Sequence, residues 1–179
     1  MARVDVTNGP TRGTMWTRLA RYRVPLGFAA ALAALVLARP TPRAWMAGLV
    51  MAAAGELIRL WAAGHIEKGR EITRSGPYRY VRHPLYAGST LIGVGFSVAA
   101  WSIPVAILCV VYLGVTLAAA VRTEEATLDA RFAGAYSAYR EGRAEPVARR
   151  FSWTRVMANR EYRAVTGLVV AFAYLYWRM

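Results

Sequence analysis

The chain predicts an all-α integral membrane bundle of about five transmembrane helices, with an amphipathic helix on the cytoplasmic side. Three observations lead there. Hydrophobic residues make up 56% of the 179 positions, which is high for a soluble domain. The net charge is +13, yet the charges avoid the long apolar runs. The basic residues also alternate between the gaps that separate those runs. A bilayer imposes this pattern of apolar spans and basic ends.

Five apolar segments can be drawn: Val24–Ala38, Trp45–Ala63, Leu85–Ala100, Ile103–Val121 and Ala164–Trp177. A full span takes about 20 residues, with a range of roughly 17–25. The second and fourth reach that length unaided. The first, third and fifth are short and depend on flanking Tyr, Trp and Arg at the interfaces. Trp45, Trp61, Trp101, Tyr176 and Trp177 supply such belts. The first run resembles a signal-peptide core, but Arg39-Pro40 follows it directly and favours a retained helix.

Basic residues set the expected orientation. Arg3, Arg12, Arg18, Arg21 and Arg23 precede the first span, and Lys68, Arg70, Arg74, Arg79 and Arg82 lie between the second and third. The arginines from Arg122 to Arg163 lie between the fourth and fifth, while the other side has only Arg39, Arg43 and Arg178. The positive-inside rule places the N-terminus in the cytoplasm and the C-terminus outside, in an inner-membrane topology.

The third and fourth spans form a hairpin around Trp101-Ser102-Ile103-Pro104. Pro104 suits a first helical turn, where its missing N–H costs nothing. Pro84 marks the start of the third span and pushes His83 out of the helical region. The hairpin brings Arg82, His83 and Tyr86 beside Glu124 and Glu125 at the cytoplasmic mouth. Polar residues at a membrane boundary are costly unless something uses them. The N–H groups after Pro84 offer an anion site.

Beyond Glu125 the chain is expected to stay helical to about Tyr139. Glu125, Leu128, Phe132, Tyr136 and Tyr139 recur on one face, as in an amphipathic helix lying over the mouth. From Arg140 to Arg163 an Arg-rich stretch with Gly142 and Pro146 reads as a loop or short interfacial helix on anionic lipid. In the second span Glu56 and Arg59 are spaced as an internal ion pair, with Arg59 near enough to the end to snorkel. Gly93-Val94-Gly95 has no preceding strand and reads as close helix packing, not a nucleotide loop. Cys109 is the single cysteine, so no intrachain disulfide or thiolate metal site is expected. The basic charge lacks any nucleic-acid motif, and no nucleic-acid partner is expected. A haem or quinone reading of His65 and His83 fits poorly, because they lie on a loop and a bend. Residues 1–179 form one domain.

Taken together, Gly76-Pro77-Tyr78, Arg82-His83-Pro84-Leu85-Tyr86-Ala87-Gly88 and Arg122-Thr123-Glu124-Glu125 carry a family resemblance. Leu60-Trp61-Ala62-Ala63-Gly64-His65 and Lys68 add to it. The chain resembles the isoprenylcysteine carboxyl methyltransferases, integral membrane enzymes related to phospholipid N-methyltransferases, over roughly residues 55–145. The resemblance implies S-adenosyl-L-methionine as methyl donor and an amphiphilic, lipid-like acceptor entering from the bilayer. It implies donor contacts from Tyr78, Arg82, His83, Pro84, Tyr86, Gly88, Glu124, Glu125 and Tyr139. Glu124 or Glu125 would pair with the donor's ammonium or ribose, and Arg82 and His83 with its carboxylate. Tyr78, Tyr86 or Tyr139 would face the sulfonium or adenine. His83, Glu125 and Arg143 are the expected catalytic residues, and Glu56, Arg59 and Arg143 the expected head-group contacts. The family's basic-apolar-Pro step after the last tyrosine is replaced here by Arg140-Glu141-Gly142-Arg143-Ala144-Glu145-Pro146. That departure leaves the acceptor atom open: an isoprenylcysteine-type carboxylate is favoured, with a phospholipid amine or a thiol as alternatives. A nonenzymatic membrane protein on the same scaffold is the remaining alternative.

Overall fold

Proline stands in the first turn at several helix starts in this chain. A computed structural model describes residues 15–67, 72–132, 139–141, 143 and 147–179, and all the regular structure among them is helical. Helix α1 spans Met15–Leu37 and contains Pro25. Helix α2 spans Pro42–Ala63; Thr41 Oγ1 accepts the Ala44 N–H, and Pro42 stands in the first turn. A 3-10 turn, Gly76–Arg79, follows. Helix α3 spans Pro84–Ala100 and α4 spans Ile103–Arg131. Short α5, Trp153–Ala158, leads into α6, Tyr162–Trp177. Lys68, Tyr136, Gly142 and Pro146, which figure in the sequence reading, lie outside the described residues.

The five long helices alternate in direction. Arg39 N–H donates to Ala100 O at 2.8 Å, tying the α1–α2 corner to the α3–α4 corner. Trp45 Nε1 donates to Phe172 O at 2.9 Å, and Arg178 donates to Leu35 O, so the far ends of α1, α2 and α6 meet there too. Trp101, in the left-handed conformation at φ 47°, reverses the chain between α3 and α4. The apolar core sits at this end: Ala38, Ala52, Ala99, Ala100, Val105, Phe172 and Leu175 are buried against one another.

Small residues join α2 to α3. Gly48, Ala52 and Gly55 face Gly88, Ile92, Gly95 and Ala99. A Cβ on Gly48 would stand 2.3 Å from Gly95 O, and backbone cannot move aside as a side-chain tip can. This is the small-residue contact by which helices approach closely in lipid. Gly95 therefore packs as the sequence indicates, and Gly93 backs onto Leu113 of α4. Gly48→Val should destabilise the protein by about 3 kcal/mol or more, the upper end of overpacking. Unfolding in micelles checks this; a parental midpoint would contradict it.

Two helices, α2 and the Ile103–Leu128 portion of α4, are long and apolar enough to cross a membrane. Gly27–Leu37 and Pro84–Ala100 are shorter apolar helices. Only 6% of the apolar window of α4 is buried. A soluble core helix would be mostly covered. Here Phe28, Leu32, Val50, Ile103 and Val110 all point outward, as lipid-facing residues do. Helix α4 has 29 residues and is ~44 Å long, against a hydrocarbon layer of about 30 Å. The helix is thus longer than that layer is thick, and its last turns carry Glu124 and Glu125.

The expected helix to Tyr139 is not one uninterrupted piece. Helix α4 ends at Arg131, with Phe132 at φ −126° and ψ 48°, although Tyr139 and Arg140 are again helical. Apolar spacing reports a shared face, and it does not register a break.

Candidate functional site

The bend at His83 is built by Pro84. His83 has φ −127° and ψ 63°, outside the helical region, and its carbonyl accepts the N–H groups of Tyr86 and Ala87 at 3.1 Å each. Those two N–H groups are therefore used by the helix itself, not held open for an anion as the sequence suggested. The same bend turns the His83 ring toward α4. Tyr86, one turn on, stacks on that ring with centroids 5.5 Å apart and planes 24° apart.

The two adjacent glutamates divide their partners. Tyr86 Oη donates to Glu124 Oε2 at 2.7 Å. His83 Nε2 lies 3.2 Å from Glu125 Oε1, and Arg82 reaches the same oxygen at 3.5 Å. His83 Nδ1 is 3.9 Å from Glu124 Oε2. Residues 42 apart in sequence are thus joined through an antiparallel hairpin. The cluster holds both signs of charge and is partly exposed: the His83 side chain is 18% accessible and Glu125 29%.

Tyr78 enters from the 3-10 turn. Gly76, at φ 57°, starts that turn against the His65 ring; a Cβ there would fall 2.6 Å from His65 Cγ. His65 Nδ1 lies 2.9 Å from Trp61 O and its ring packs on Phe151, so this histidine holds the turn in place. Tyr139 Oη donates to Tyr78 O at 2.8 Å. Burial, and then the charge of Glu124, push the Tyr78 phenol well above the ordinary tyrosine range. Burial also raises Tyr139, against the opposing charge of Arg82.

These groups share one cavity of about 820 Å³. Its polar end is formed by Tyr78, Arg82, His83, Tyr86, Glu124 and Tyr139. Its apolar wall runs along Ala29 and Ala33 of α1 and Val111, Val115 and Ala119 of α4. Glu125 supports it through His83. Pro84 and Gly88 are buried, and Gly88 faces Gly55 O and Arg59 across the α2–α3 contact.

Glu56 and Arg59 lie elsewhere. The Arg59 guanidinium bonds Glu161 Oε2 at 2.6 Å and Ser89 Oγ, and its Nε is 3.7 Å from Glu56 Oε2. Arg59 therefore does not snorkel; it is clamped between α2, α3 and the start of α6. Arg59 and Ser89 close the polar end of a second cavity of about 620 Å³ between α1, α3, α4 and α6. Ala30, Leu108 and Tyr112 border both cavities. Glu161 was not singled out in the sequence, where it stands between Arg160 and Tyr162 like a surface charge. Arg143 pairs with Glu141 on the surface, its side chain 67% exposed, and lines neither cavity.

No curated protein and no solved structure matches this chain. A family model described as phospholipid methyltransferase matches residues 43–135, just over half of the chain, from the start of α2 past the end of α4. That stretch carries the α2–α3 glycine contact, the His83 bend and both site glutamates, and by it the chain belongs to the phospholipid methyltransferase family.

Proposed function

We propose that the protein moves a methyl group from S-adenosylmethionine to the polar head of an amphiphile at the cytoplasmic face of the inner membrane. One observation carries this reading: a single cavity joins a charged, tyrosine-lined end to an apolar wall between α1 and α4. The donor's fixed charges are an ammonium and a carboxylate. The polar end offers the Glu124 carboxylate, the Arg82 guanidinium and the His83 ring, with Glu125 behind them against His83 and Arg82, so the residues suit it. When bound, the donor supplies an electrophilic methyl on a sulfonium.

The chain's own residues then orient and shield. Glu124, backed by Glu125, holds the positive end of the donor, and Arg82 and the His83 ring its carboxylate. Displacement at a methyl needs alignment more than acid–base work. The apolar wall keeps water away and guides the tail of the acceptor, so that only its head reaches the polar end. A carboxylate head of the isoprenylcysteine type needs no base. A phospholipid amine must lose a proton, and His83, paired with Glu125 at 3.2 Å, is the group placed to take it. That pairing, with the family match, favours the amine as the second reading.

Incubating the purified protein with methyl-labelled donor and a lipid extract should label one lipid class, and mass analysis of that product gives the acceptor atom. A water-soluble acceptor and its alkylated analogue, compared in micelles, test lateral entry. Each buried methylene contributes about 0.8 kcal/mol, so a long tail should lower KM by orders of magnitude. Equal efficiency of the two would rule out the apolar wall as the tail's path.

A further inference from the structure

Five arginines fall between Val147 and Arg163, and the fold uses them in two ways. Arg149 and Arg155 face inward. Arg149 donates to His65 O at 3.3 Å, Arg155 to Gly64 O at 2.8 Å, and Asn159 to Ala63 O at 3.0 Å. Carbonyls at a helix end have no partner within the helix, and these three side chains serve those at the end of α2. Both arginines also approach Glu67 Oε1, at 3.7 and 3.6 Å. The Ser152 N–H donates to Gly64 O and the Val147 N–H to Arg74 O. The chain from Val147 to Asn159 is thereby strapped across the end of α2. Helix α2 is long and apolar enough to cross a membrane, so a segment fixed on its end lies at the membrane surface.

Arg150, Arg160 and Arg163 face outward. All three are exposed, and none meets a carboxylate among the described residues. The one acidic residue of the stretch, Glu161, is buried against Arg59. The outward charge is therefore uncompensated. Apolar side chains stand among these cations: Trp153 is 66% exposed and Met157 57%. A partner for this surface must offer negative charge and, directly beneath it, an apolar layer. An anionic leaflet offers both, phosphates to the guanidinium groups and the acyl boundary to the indole. An acidic soluble protein offers the charge alone. We propose that residues 147–163 form a docking surface for anionic lipid headgroups of the leaflet on the site side, with Arg150, Arg160 and Arg163 on the phosphates and Trp153 and Met157 in the acyl boundary. The strap carries the contact inward, because Ile66 and Glu67, at its inner edge, line the larger cavity. Leaflet charge thus sets how firmly that wall is held. The inference does not depend on what the cavity takes.

Quenching of tryptophan fluorescence by brominated lipid reads the contact. The full-length protein is placed in nanodiscs of phosphatidylcholine and phosphatidylglycerol, with bromine on one lipid or the other. It is measured as parent, as Trp153→Phe and as the triple variant Arg150→Gln, Arg160→Gln, Arg163→Gln. The quenching lost in Trp153→Phe belongs to that indole. It should be greater with brominated phosphatidylglycerol, reporting an enrichment of the anionic lipid of about fivefold or more, the factor for one arginine near an anionic surface. The preference should vanish in the triple variant, and each single Gln change should remove part of it. Amide exchange at residues 64–67 is the second readout. It should slow in the parent on going from phosphatidylcholine alone to the mixture, and stay unchanged in the triple variant. Equal quenching of Trp153 by the two lipids overturns the proposal and leaves the cations to an acidic soluble partner. A preference that survives the triple variant overturns the role of these arginines. Exchange that ignores lipid charge overturns the link to the cavity wall.

Discussion

Glu125→Ala should weaken donor binding by roughly 1–3 kcal/mol, the range for a lost charged hydrogen bond. Glu125 Oε1 is the shared partner of His83 at 3.2 Å and Arg82 at 3.5 Å. Removing it takes away one carboxylate and also frees the ring and the guanidinium that it holds at the cavity mouth. His83→Ala should fall in the same range, because it removes the other side of that pair. The two losses should be less than additive, since the residues are in contact. Fold should persist: the Glu125 side chain is 29% exposed, and the apolar core lies at the other end of the bundle. Titration of folded protein decides the matter, and unchanged affinity in both variants would remove this cluster from the donor site.

Arg59→Met should cost about 3–5 kcal/mol of stability, the range for breaking a buried ion pair from one side. Arg59 stands between Glu161 and Glu56, whose side chains are 5% and 7% exposed. Among the described residues, both Glu56 oxygens already lack a hydrogen bond. Without the guanidinium, two carboxylates face an apolar surrounding with no cation between them. The start of α6 also loses its tie to α2 and, through Ser89, to α3. Adding Glu161→Leu to Arg59→Met should restore part of the loss, because one stranded charge is then removed. Denaturant unfolding of the three proteins in micelles measures it. A single variant as stable as the parent would show that the bridge contributes nothing.

The hairpin was legible because its markers are local. Pro84 and Pro104 start helices, the apolar run between them has a fixed length, and a tight turn leaves one way to fold back. Those facts alone put His83 and Tyr86 beside Glu124 and Glu125. The packing role of Gly95 was legible for the same reason, since a glycine in an apolar helix has few other uses. The partner of Arg59 was not legible. Glu161 lies 102 residues away, and no periodicity connects the two; only the direction of α6 does. The i, i+3 neighbour Glu56 looked like the partner, yet it is the more distant carboxylate at 3.7 Å. Arg143 was assigned by its place after a motif, whereas the structure pairs it with its near neighbour Glu141. That the Tyr78 hydroxyl has no partner among the described residues also escaped the sequence, which shows a tyrosine without showing whether its oxygen is satisfied.

The placement of the apolar core at one end of the bundle makes the molecule answer to two sets of conditions. Ala38, Ala99, Ala100, Val105 and Leu175 are held by dispersion and close fit, which dissolved salt barely touches. Around the site, the ends of α2, α3, α4 and α6 are joined by Arg59–Glu161, His83–Glu125, Arg82–Glu125 and Tyr86–Glu124. Charges open to solvent weaken as ionic strength rises. Added salt therefore acts first on His83, Arg82 and Glu125, and the buried Arg59–Glu161 bridge yields later. The mouth can loosen while the opposite end keeps its shape. Opening of the polar mouth and global unfolding are in this way placed under separate control along a single helix axis.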